Sequence, residues 1–310
     1  TPAVSETILP TTSAPAAPAT RMTGPERRSS MGLAAIFAMR MLGLFLVLPV
    51  FMLEARKYPG GDDPALVGLA MGMYGLTQAF FQLPLGMASD RFGRKRVIVL
   101  GLAVFAAGSL VAALADSVMG LLVGRALQGA GAVSAAVTAL LADQTRDAVR
   151  TKAMALVGIS IGLMFAVALV LAPLLTAHIG LSGLFTLTFA LALAGVALIV
   201  WVVPPETRHH ADLPQGRLAD VWRHADLRRL NLGVFALHTI QMAMWVAVPA
   251  LLVQAGLPKD LHWHVYLPAL VLSVVAMGGL FSMERRGRLL GGLLFVFFCG
   301  FNMLEATQPS

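Results

Sequence analysis

The chain has 310 residues, 57% of them hydrophobic and 13% charged, with mean hydropathy +0.78 and net charge +7. Ordinary soluble domains carry about 25% charged residues, so a freely soluble fold is excluded and lipid is the expected solvent for much of the chain. The basic residues fall in short islands between apolar runs, which excludes a nucleic-acid partner, and the single Cys299 excludes an internal disulfide and a CxxC metal site.

Residues 1–30 are rich in Pro, Ala, Ser and Thr and read as a disordered leader; they lack the basic start and short apolar core of a signal peptide. Apolar runs long enough to cross a bilayer follow at 31–53, 65–88, 97–115, 117–141, 153–176, 183–203, 231–255, 264–283 and 289–306. These nine runs are continuous rather than alternating, so they are helices and not barrel strands, and helices satisfy their own backbone in lipid. The expected fold class is an all-α polytopic membrane protein.

Eighteen Lys and Arg residues fall in the leader and in the loops after the second, fourth, sixth and eighth runs. The opposite loops hold three, Arg56, Lys57 and Lys259, while Arg40 and Arg125 lie inside runs. The positive-inside rule therefore puts the leader and the basic loops in the cytoplasm. Residues 204–230 form the longest connection, opening on Pro204–Pro205 and carrying a short amphipathic stretch. The expected organisation is a cytoplasmic leader 1–30, a six-helix bundle 31–203, a cytoplasmic linker 204–230 and a partial second bundle 231–310.

After the second run comes GMASDRFGRKR, in which Gly86, Asp90, Arg91, Gly93 and Arg94 crowd into a tight turn. Gly86 lies one helical turn before Asp90 and admits a close neighbour, Gly93 permits a sharp reversal, and Asp90 is placed to accept hydrogen bonds from the amino end of the next helix. A weaker echo, Glu284-Arg285-Arg286-Gly287-Arg288, follows the second run of the second half, and repeated halves mark secondary transporters.

Several polar residues lie inside the apolar runs, where they are costly and usually functional. Arg40 and Arg125 are the embedded cations, and Tyr74, Gln78 and Gln82 share a face of the second run. His238 and Gln241 form a similar pair in the seventh. Glu305 is the embedded acid and a candidate for proton coupling, with His238 a weaker one. His209-His210 and His262-x-His264 have no converging acids or cysteines and read as solvated loop residues, so no metal and no cofactor is expected. No set of polar groups converges at one depth as a membrane enzyme would need.

The loop G-x-x-x-D-R-x-G-R-K resembles the helix-two-to-three loop of the major facilitator superfamily. The segment LLVGRALQGAGA, with Arg125, Gln128, Gly129 and Gly131, resembles that family's helix-four motif. The runs RMLGLFLVLPVF and FFCGFNMLEATQPS are similar to its drug:proton antiporter branch, and the resemblance covers about residues 31–310. It implies two six-helix bundles rocking about a central cavity. It also implies a cytoplasmic latch of Asp90, Arg94 and Asp143 that holds the outward-open state, and a buried role for Arg125 near the proton site.

The helix-five motif departs from the branch: Gly158-x-x-x-Gly162 lacks its Pro, and Ala172 precedes Pro173 where Gly is favoured. The last run resembles helix ten rather than nine, so the chain is expected to lack helix nine after Arg288, and helices eleven and twelve. The expected function is proton-coupled efflux of small lipophilic or cationic solutes by a monomer in a bacterial-type inner membrane. The alternatives are a same-fold uptake symporter and a truncated, inactive membrane protein.

Overall fold

The computed structural model describes residues 21–131, 133–206 and 223–272, and among them every regular element is a helix. Helix α1 (Gly24–Glu54) is followed by a 3-10 turn, Ala55–Lys57; then come α2 (Pro64–Phe92), α3 (Arg94–Ala113), α4 (Val118–Ala130) and α5 (Ser134–Asp143). Helix α6 spans Asp147–Trp201 and α7 Ala225–Gln254; a second 3-10 turn, Lys259–Leu261, leads to α8 (Trp263–Leu272). Among the described residues, six stretches are long and apolar enough to cross a membrane, counting α4 with α5 as one and α6 once.

Local chemistry sets the helix ends. Helix α1 opens with a capping box: Glu26 accepts the Thr23 amide at 2.7 Å while the Thr23 hydroxyl accepts the Glu26 amide at 3.4 Å. The helix therefore starts at Gly24, inside the stretch expected to be disordered to residue 30; residues 1–20 lie outside the described part. Asp63 caps α2 through the Ala65 amide at 2.9 Å, with Pro64 at the first position.

Two expected boundaries shift. The run 117–141 breaks between α4 and α5 at Gly131, where the chain leaves helical geometry. The loop expected between the fifth and sixth runs collapses to one residue, Gly180, whose φ of 64° turns α6 into two arms, 147–179 and 181–201. Helix α7 starts ahead of the expected 231, and α8 shows the beginning of the eighth run. The ninth run, the rest of the eighth, the ERRGR echo and most of the 204–230 linker lie outside the described residues.

Helix α1 runs along α6, and α4 is wedged between α2 and α3. In lipid, helix association depends on close packing rather than on water exclusion. Gly43 supplies one such contact: a Cβ there would stand 2.7 Å from Thr188 Cγ2, and the Thr188 hydroxyl donates to the Gly43 carbonyl at 3.1 Å. The core forms three layers. One lies near the basic loops (Leu33, Phe37, Ile98, Leu140), one at the far end (Leu46, Phe51, Leu121, Phe185), and a thin one between them holds Tyr74 and Phe105. Leu76 and Phe80 of α2 and Ile159 and Leu163 of α6 are exposed among the described residues.

The far-end layer takes in residues of the second half. Phe45 of α1 meets Phe165 at 5.0 Å between ring centres, Phe165 meets Trp245 of α7 at 5.8 Å, and Trp245 meets Tyr266 of α8 at 5.4 Å, all edge-on. Among the described residues, the two halves touch at the end away from the basic loops.

Candidate functional site

Two polar assemblies stand out in this apolar body. The first is the turn between α2 and α3. Gly93 holds φ at 99°, a conformation that side chains disfavour, and a Cβ there would lie 2.7 Å from a Glu206 carboxylate oxygen. Arg94 enters the bundle from this turn. Its guanidinium pairs with Asp90 at 2.6 Å, donates to the Ser89 hydroxyl at 3.2 Å, and bonds tightly to Asp143 at the end of α5. The Asp90 side chain is 60% exposed and that of Asp143 23%, so the Asp143 contact is the better shielded half of the network.

The expected latch residues thus converge, with three differences. Arg91 is exposed, its guanidinium 5.5 Å from the Phe92 ring centre, and takes no part. Asp90 does not cap α3; the Arg94 amide donates instead to Glu206 at 2.8 Å, placing an anion at the positive helix end. A Cβ on Gly86 would sit 3.6 Å from Ala135, an ordinary contact, so alanine would fit there. Asp90, Arg94 and Asp143 all belong to the first bundle.

Around this turn the start of the linker is tied down. The Lys95 ammonium donates to the Val203 carbonyl at 2.7 Å, and the Gln144 amide to that of Pro204 at 3.0 Å. Arg146 grips Glu26 at 2.7 Å, linking the first turn of α1 to the α5–α6 connection, and the carboxylate holds this guanidinium above its ordinary pKa. Glu26 and Glu206 escaped sequence reasoning. T-x-x-E at 23–26 was a readable capping box, whereas nothing local flags Glu206.

The second assembly lies at mid-depth. Arg40 and Arg125 are both buried, and both address Tyr74. Arg40 donates to the Tyr74 hydroxyl at 3.0 Å and to Ser134 Oγ at 3.1 Å, with Phe105 5.4 Å from its guanidinium. Arg125 stands 4.7 Å over the Tyr74 ring and donates to Gln128 Oε1 at 2.9 Å. Gln128 passes the chain on to Ser109 Oγ at 2.8 Å. Five helices therefore share one polar network, and the Nε of each arginine is buried without a partner. No carboxylate among the described residues pairs with either cation.

Glycines make this assembly possible. A Cβ on Gly129 would collide with Thr77 Oγ1 and the Tyr74 carbonyl, and one on Gly131 with the Gly101 carbonyl. The helix-four motif is thus a packing device as well as a polar one: its glycines seat α4 against α2 and α3 so that Arg125 and Gln128 reach their partners.

The other expected site residues do not join. Gln78 and Gln82 are half-buried on α2, and Gln82 leaves a buried Oε1 unpaired. His238 is exposed on α7 with Nδ1 2.8 Å from its own helix's Val234 carbonyl, and Gln241 is exposed as well. Glu305 lies outside the described residues. His262, read as solvated, is buried with its ring 6.1 Å from that of Tyr266. Among the described residues no cluster of His, Cys, Asp or Glu could hold a metal ion.

Comparison with known proteins agrees with this architecture. The Major Facilitator Superfamily profile matches residues 29–309. The Inner membrane transport protein YajR of Escherichia coli (strain K12) is 43% identical over 94% of this chain and 71% of its own length. The class B Tetracycline resistance protein of Escherichia coli is 34% identical over 39% of this chain and 31% of its own. Among solved structures, a bacterial homologue of the human lysosomal transporter Spinster matches with a TM-score of 0.64 at 16% identity, over 86% of this chain and 64% of its own, a likeness of fold. A transporter family, a multi-pass helical body and these two motifs coincide: the chain belongs to the major facilitator superfamily.

Proposed function

We propose that the chain is a proton-coupled exporter of small lipophilic solutes that works by alternating access, with its amino terminus and basic loops in the cytoplasm. The observation that carries this reading is the mid-depth network of Arg40, Tyr74, Arg125 and Gln128. Buried polar groups in a membrane bundle are costly and mark the working path of a carrier. The Tetracycline resistance relatives support export rather than uptake. Of the lipophilic and cationic solutes expected from composition, the lipophilic class fits better, because two buried guanidiniums unopposed by a described carboxylate repel a cation. At the basic end, Arg94 and Asp143 act as the latch that biases the bundle between states.

Everted membrane vesicles energised to an acid interior test this with a panel of lipophilic dyes. Export predicts gradient-driven dye accumulation and proton release on dye addition. Dye movement unaffected by collapsing the gradient would overturn the coupling, and movement only in the opposite sense would favour the uptake symporter.

A further inference from the structure

We infer that Lys57, Glu54 and Lys259 form a balanced charge clasp between the two halves, in which Lys259 closes the end opposite the basic loops and Lys57 opposes closure. Glu54 ends α1 and is buried, its side chain 5% exposed. One carboxylate oxygen meets Lys57, three residues on, at 2.5 Å; the other meets Lys259 of the second half at 2.6 Å. Both lysine side chains stay wet, 61% and 44% exposed. The clasp sits beside the ladder of Phe45, Phe165, Trp245 and Tyr266 and spans the same junction.

The physics of this triad is asymmetric. A buried carboxylate stripped of its only partner is strongly penalised. Lys57 rides on the same helix end as Glu54 and stays with it in every arrangement of the halves, whereas Lys259 is present only when they touch. Opening therefore never strands Glu54, and the clasp holds with the modest strength of a wet ion pair. Two ammonium groups on one carboxylate also repel each other, so Lys57 weakens the grip of Lys259. Deleting the two lysines must then act in opposite directions, a result that a merely structural ion cluster does not produce. The inference rests on the alternating-access reading, but its test needs no substrate.

Spin labels at Asp62→Cys and Gln254→Cys, in a Cys299→Ser background and lipid nanodiscs, report the distance between the halves at this end. Lys259→Ala is expected to lower the closed-to-open ratio by roughly two- to fivefold, the range of an exposed pair. Lys57→Ala is expected to raise it, and in a Glu54→Gln background Lys259→Ala no longer lowers it. The exchange Glu54→Lys with Lys259→Glu restores attraction and keeps the closed fraction at or above the parent's, which covers a Glu54→Gln chain that fails to fold. Shifts of the same sign for both lysines in the parent, no shift, a loss of closure by Lys259→Ala that persists without the Glu54 charge, or an open exchanged pair would each overturn the clasp. A single unchanging distance in every variant would instead count against alternating access itself.

Discussion

The amide of Arg94 donates a hydrogen bond at 2.8 Å to Glu206, 112 residues later in the chain. The first residue of α3 is thereby tied to the segment that leaves the first bundle for the second. The linker is not a passive tether at its start: a carboxylate in it completes the turn that carries the family's most recognisable motif.

Removing that acceptor uncaps α3. Glu206→Ala is expected to cost about 1 kcal/mol, in the range of lost helix caps, and to lower the melting temperature in detergent by about 2–4 °C. Glu206→Gln keeps an acceptor and should lose less. Equal melting of parent and Glu206→Ala would refute the capping role.

Glycine substitutions should separate geometry from mere smallness. Gly93→Ala forces a side chain into a backbone region costing about 1–3 kcal/mol and pushes against Glu206, whereas Gly86→Ala meets Ala135 at an ordinary 3.6 Å. Thermal melts should show a clear loss for Gly93→Ala and little change for Gly86→Ala.

The two acids around Arg94 are unequal. Asp90 is mostly exposed, and pairs of that kind contribute about 0.2–1 kcal/mol; Asp143 is the more shielded partner. Asp143→Asn should therefore destabilise the first bundle more than Asp90→Asn. A double-mutant cycle with Arg94→Gln should give the larger coupling energy to Asp143, and the reverse order would contradict the geometry.

Tyr74→Phe removes the hydroxyl that accepts from Arg40 but keeps the ring beneath Arg125. A buried donor left unpaired costs about 1–3 kcal/mol, so this change should lower stability while Arg125 stays in place. Tyr74→Ala loses both contacts and should be worse. Melting curves that rank the two variants equally would show that the stacked ring contributes nothing.

The described spans and both motifs were legible because a bilayer imposes long apolar runs, and because tight turns and close packing demand glycine at Gly93, Gly129 and Gly131. The convergence of Asp90, Arg94 and Asp143 was legible only through family resemblance, since nothing in the spacing brings α5 to the α2–α3 turn. Glu206 and Lys259 were not legible at all: their roles exist only through contacts with residues more than a hundred positions away. The break near Gly131 was hidden by an unbroken apolar run. The gap left at 177–182 between the fifth and sixth runs is shorter still in the structure, because Gly180 alone makes the reversal. Arg40 and Arg125 were visible as embedded cations, but their shared partner Tyr74 was read as one of a face with Gln78 and Gln82.

If the mid-depth network is the working site of gradient-driven transport, its two arginines must matter to flux. The direct measurement is dye flux under an imposed pH gradient in vesicles holding equal amounts of folded parent, Arg40→Gln and Arg125→Gln. Each substitution is expected to lower flux by roughly 5- to 150-fold, the equivalent of about 1–3 kcal/mol of lost buried hydrogen bonding. Parent-like flux in both variants would contradict it.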